Sequence, residues 1–138
     1  MCDYSKKLIE HILYRSYVNE RPVSHMHLNK VWYFSLGYLI YHDLDLALKV
    51  YNNSNIREGV WGAVLPYIQD NYSFYKATPV FEEGVKHKSF NFINHIIDKL
   101  IAINTMVLVD ISQEHKAKNE YYTFKEIKEA FKNGRGLL

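Results

Sequence analysis

Apolar residues recur at three- and four-residue spacings along most of this chain, the mark of helices that bury one face. Leu8, Ile9, Ile12, Leu13 and Tyr17 form the first such stripe and predict a helix from Asp3 to Val18. Arg21-Pro22 should end it, because the residue before proline avoids helical dihedrals. Ser24 offers a capping hydroxyl to a second helix, in which Leu28, Val31, Trp32, Leu36, Leu39 and Ile40 make a wide stripe. Lys30 is the only charged residue between Ser24 and Tyr41. A helix so poor in charge belongs at the buried centre of a domain. Gly37 inside it costs helix stability relative to alanine, which predicts a close backbone approach at that point.

Between His42 and Asn55 two periods compete. Leu44, Leu46, Leu48 and Val50 alternate as in a strand, whereas Leu44, Ala47, Leu48 and Tyr51 suit a helix. A short helix ending at the turn-rich Asn52-Asn53-Ser54-Asn55 is preferred. Gly59 and Gly62 bracket Trp61, and a helix is expected from Ala63 to Tyr72, with Pro66 in its opening turn, where no N–H is missed. Residues 72–88 read as irregular, with a brief extended segment at Val80-Phe81. Phe92, Ile93, Ile96, Ile97, Leu100 and Ile101 then predict a helix from Ser89 to Ala102, and Asn104 or Thr105 caps another reaching Glu114. Thr123-Phe124-Lys125-Glu126 is a capping box. It starts a last helix with Phe124, Ile127 and Phe131 inward and Gly134 as its left-handed terminator. The expected fold is mainly α: a compact single-domain bundle of about six helices around the second, with at most a minor β pair near Val80.

Composition narrows the setting more than the chemistry. At 138 residues the chain is one domain with room for a substantial core. A formal charge of +2 is too small to argue for nucleic acid. The single cysteine, Cys2, excludes an internal disulfide and fits a reducing cytoplasm. The longest uncharged run, Val31 to His42, falls short of the roughly 20 apolar residues a bilayer needs. Asp3, Lys6, Lys7 and Glu10 stand where a secretory signal would be apolar. The expectation is a soluble cytoplasmic protein without a membrane partner.

Candidate chemistry is sparse. His25 and His27 lie two apart at a helix start and diverge, and His42, His87, His95 and His115 show no ligand spacing. His11 and His95 sit among polar neighbours on ordinary helix faces, so no metal and no cofactor are expected. Cys2 has no local motif to activate it, and Ser35 lies within a helix instead of on a strand-to-helix elbow. Glu58, Asp70, Glu82 and Glu83 suggest no acid–base pair by spacing. The loop from Glu58 to Val64 lacks the Lys-Ser/Thr ending of a phosphate-binding loop. Lys116, Lys118, Lys125, Lys128, Lys132 and Arg135 alternate with Glu120, Glu126 and Glu129, the look of a solvated face rather than a DNA grip. An enzyme is not expected.

Aromatic residues carry the stronger signal. Tyr67, Tyr72, Phe74, Tyr75 and Phe81 crowd a stretch with little regular structure to bury them, and such rings are enriched in binding hot spots. Tyr121 and Tyr122 form a second candidate patch. Trp32, Tyr33 and Trp61 are expected in the core.

Two segments about thirty residues apart point to a family. Leu28, Lys30, Tyr33 and Phe34 fit a Leu-x-Lys-x-x-Tyr pattern followed by an aromatic residue. Trp61, Gly62, Val64 and Pro66 follow as a glycine turn into a helix, with Ala63 where the pattern has proline and Gly59 where tryptophan is common. Thr78-Pro79-Val80, Ile111-Ser112-Gln113-Glu114-His115 and Thr123 to Phe131 match its later steps more loosely. In these features the chain resembles the Panacea, or SocA-like, antitoxin domain from its first helix to its end. The resemblance implies an antitoxin that binds and blocks a cognate protein toxin without catalysis. Toxins of that family include membrane-acting peptides and alarmone-synthetase-like enzymes, and a soluble enzyme of the second kind is the expectation. The alternatives are a proteolytic adaptor, with the Gly134 to Leu138 tail docking on a cytoplasmic protease, and a phage counter-defence protein that binds a host immunity factor.

Overall fold

A computed structural model describes residues 3–132, which form seven α-helices and one small sheet. Helix α1 (Tyr4–Val18) begins where the Asp3 carboxylate accepts the Lys6 N–H at 3.1 Å. It closes as a Schellman turn, with Arg21 N–H donating to Ser16 O and Glu20 N–H to Tyr17 O, and Glu20 at φ +52°. Tyr17 departs from the expected stripe and is 55% exposed. Ser16 takes the inward position instead, its hydroxyl donating to Arg21 O at 2.6 Å, so the closing turn rotates Tyr17 outward.

Helix α2 (His25–His42) is capped by the Ser24 hydroxyl and is buried continuously from His27 to Gly37. It packs on α1, α3 (Leu44–Tyr51), α4 (Pro66–Tyr72), α5 (Asn94–Ala102), α6 (Thr105–Ser112) and α7 (Phe124–Lys132), the central role its lack of charge predicts. The close approach at Gly37 is made by a ring, not by backbone: a Cβ there would sit 2.6 Å from the Phe131 ring carbons of α7.

The β pair lies at 57–64 rather than near Val80. Strands β1 (Arg57–Gly59) and β2 (Gly62–Val64) are antiparallel, with Gly59 opposite Gly62 across the two-residue turn Val60-Trp61. Ala63 and Val64 are therefore strand, and α4 starts only at Pro66. The Gly-x-x-Gly spacing is a hairpin signal, and Gly62 at φ +96° supplies the left-handed residue it needs. Val80 instead makes one backbone bond, to Val23 O at 2.8 Å. The outer edge of β1 is covered by the chain before α7, through an Arg57–Tyr121 bridge and bonds from Glu58 N–H to Glu120 O and Tyr122 N–H to Ile56 O. Side chains from α2 cover β2: Lys30 Nζ donates to Ala63 O at 3.1 Å, and Asn29 Oδ1 accepts Leu65 N–H at 2.9 Å.

The single helix expected from Ser89 divides into a 3-10 turn, Lys88–Ile93, and then α5. The three-residue period puts Phe90 and Ile93 inward together and leaves Phe92 exposed. Asn104 caps α6, which ends at Ser112. The capping box of α7 forms as the sequence predicts: Glu126 N–H donates to Thr123 Oγ1, and Thr123 N–H to Glu126 Oε1 at 2.8 Å. Cys2, and Gly134 with the tail after it, lie outside the described residues.

Polar ties join distant parts of the chain. Arg15 grips Asp98 with two bonds of 2.9 and 2.6 Å, Tyr33 Oη meets His115 Nδ1 at 2.6 Å, and Tyr51 Oη donates to Tyr122 O at 2.6 Å. Among the described residues no single helix is long and apolar enough to cross a membrane.

Candidate protein-binding surface

Pro66 fixes the start of α4, and the buried Tyr72 seals its end onto the core. Burial raises the Tyr72 hydroxyl well above its ordinary range, so it stays protonated. The chain then makes one 3-10 turn, Ser73–Tyr75, in which the Phe74 and Tyr75 rings stack with centroids 4.3 Å apart. Lys76 at φ +55° turns it back, and Thr78 holds the turn by donating its N–H to Tyr75 O at 3.0 Å.

Residues 76–87 then cross α1 as a strap fixed at several points. Val80 bonds Val23, Val85 N–H donates to Glu10 O at 3.1 Å, and His87 N–H donates to His11 Nδ1 at 3.0 Å. Gly84 sits flat on the helix at φ +69°, where a Cβ would fall within 2.3 Å of Tyr14 N and 2.4 Å of Glu10 O. The buried His11 donates through Nε2 to Asn94 Oδ1 at 2.7 Å, so both ring nitrogens are engaged in the neutral form, and desolvation lowers its pKa.

On this fixed backbone the candidate rings divide sharply. Phe74 is 68% and Phe81 75% exposed. Tyr75 is half-buried and donates its hydroxyl to Glu82 Oε2 at 3.2 Å. Tyr67 is half-buried, edge-on to Tyr72 and beneath the Lys6 ammonium at 5.4 Å. Tyr72 is structural. The second patch divides in the same way: Tyr121 is exposed, whereas Tyr122 is buried and its hydroxyl donates to His115 O at 2.6 Å. Tyr72 and Tyr122 are thus corrected from contact candidates to core residues, because each ring fills space between elements.

Trp61 is corrected in the opposite direction. The core position expected for it is taken by Ala63 and Leu65, and Trp61 stands at the hairpin tip, 49% exposed beside the still more exposed Val60. Gln113 pins that tip, its amide donating to Val60 O at 2.9 Å. The other motif residues face inward: Leu28, Lys30, Tyr33, Phe34 and Gly62 are buried, and Val64 and Pro66 half-buried. Lys30 is the unusual one. Among the described residues no carboxylate pairs with it, and desolvation lowers its pKa to about 8.

Beside Phe81, a groove of about 510 Å³ runs between the end of α1 and the strap, with Tyr17, Glu20 and Glu82 on its walls. Sequence reasoning missed it, because Tyr17 reads as a core residue and the strap has no periodicity. Among the described residues no group of three or more His, Cys, Asp or Glu is placed to hold a metal ion. His27 bonds Leu100 O at 3.1 Å, apart from the half-buried His25. No family model, curated protein or solved structure matches this chain.

Proposed function

We propose that this chain is an antitoxin of the Panacea, or SocA-like, kind that neutralises a cognate protein toxin by direct binding in the cytoplasm. The carrying observation is the pair Phe74 and Phe81, largely exposed on a backbone held by hydrogen bonds and by the Gly84 contact. Exposed rings on an ordered segment cost little further entropy when a partner covers them. Each contributes about 1.5–3 kcal/mol on full burial. A steric block of this kind asks for no chemistry from the chain, and a soluble alarmone-synthetase-like enzyme is the toxin proposed.

The test is co-expression with the product of the neighbouring reading frame. Rescue of growth together with a stable complex supports direct neutralisation. Rescue with loss of the neighbour's protein points to a proteolytic adaptor, and absence of toxicity removes the antitoxin reading. Phe74→Ala with Phe81→Ala should weaken the complex by about tenfold or more while leaving the melting temperature unchanged, since neither ring is part of the core. Full affinity in that double variant would move the contact elsewhere. Tyr72→Ala is unsuitable for the purpose, because it opens a cavity in the core.

A further inference from the structure

We propose that the groove between the end of α1 and the strap receives a lysine- or arginine-bearing segment of the protein partner, an inference that rests on the direct-binding reading above. Its walls are mostly apolar: Tyr17 and Phe81 are both exposed aromatics, and Pro22 and Val80 line it with them. Three carboxylates, Glu20, Glu82 and Glu83, line it against one guanidinium, Arg21. That combination suits a side chain with an apolar stem and a cationic head. The stem lies along the rings, the head gains cation–π attraction, and the carboxylates supply the opposite charge. A phosphate backbone would be repelled by the same carboxylates.

Glu20 strengthens the argument by being badly placed for folding. It occupies the left-handed residue of the Schellman turn, at φ +52°, where glycine is favoured. It also sets a negative charge at the negative end of the α1 dipole. Glycine would occupy this position with less backbone strain and without the unfavourable charge. Glu82 accepts a hydrogen bond from Tyr75 Oη at 3.2 Å, which ties the groove wall to the stacked Phe74–Tyr75 pair.

The test uses the full chain and a short fluorescent peptide of arginine and leucine, with a control in which glutamate replaces arginine. The arginine peptide should bind at least about tenfold more tightly, lose affinity as salt is raised, and shift the backbone amides of Tyr17, Glu20, Phe81 and Glu82. Glu82→Gln with Glu83→Gln should cost about tenfold in that affinity. Glu20→Gly should raise the melting temperature yet weaken peptide binding about threefold or more, a pair of opposite changes that a purely structural residue cannot give. Equal binding of both peptides, amide shifts elsewhere, preferential binding of an oligonucleotide, or an unaffected double variant overturns the inference. The same variants in the growth assay separate the two readings. Full neutralisation by the Glu82→Gln, Glu83→Gln chain removes the groove and keeps the antitoxin. Groove-mapped peptide binding without any toxin to neutralise removes the antitoxin and keeps the groove.

Discussion

A buried ammonium gives up its hydration, and among the described residues Lys30 recovers one bond to a backbone carbonyl in exchange. Its amine titrates at about 8 in the folded chain, against an ordinary value of 10.5. Between those values the unfolded state holds the extra proton, so stability rises with pH across that window. The gain amounts to about 3 kcal/mol at about 1.4 kcal/mol per pH unit. Lys30→Met should abolish this rise, which urea unfolding at successive pH values would show; an unchanged slope would mean that the ammonium is hydrated. The burial of α2 was legible from its lack of charge, but that of Lys30 itself was not, since a lysine stem ordinarily carries its ammonium out to water. Nor was the exposure of Trp61. A tryptophan between two glycines reads as core by its chemistry, and only the Gly59–Gly62 pairing turns it outward.

Capping chemistry made the helix starts readable: Ser24, Asn104 and Thr123 each hold the N–H groups their positions predict. Three-residue strands are too short to show a period, so the hairpin could be recognised only from its turn residues. The strap is legible least of all, since tertiary bonds and not local pattern define it. Its weak point is Gly84, where both the positive φ and the α1 backbone beneath exclude a side chain. Gly84→Ala should cost about 2–4 kcal/mol, combining overpacking with left-handed strain. Trypsin cleavage at Lys76 and Lys86 should accelerate with it. A variant as stable and as resistant as the parent would show that the strap is not pressed onto α1.

Across the whole molecule, buried ionisable groups shape one stability curve. His11 and His27 have lowered pKa values, so their contribution is complete above about 6.5 and is lost as pH falls below it. Tyr33, Tyr72 and Tyr122 are raised by burial, so stability falls once unfolded tyrosine ionises, above about 10. With Lys30 between them, the maximum should lie on the alkaline side, at roughly pH 9–10. Melting temperatures measured across that range would locate it, and a maximum at neutral pH would refute the account. The mainly α fold was legible from periodicity, whereas the ties from Arg15 to Asp98, Tyr33 to His115 and Tyr51 to Tyr122 have no local signature. Those ties bridge 83, 82 and 71 residues of sequence. Helical domains ordinarily fold in microseconds to milliseconds because their contacts are local. Here each tie waits on closure of most of the chain, so refolding should be slow for so helical a protein, and neither half could reach its native packing before the other is present.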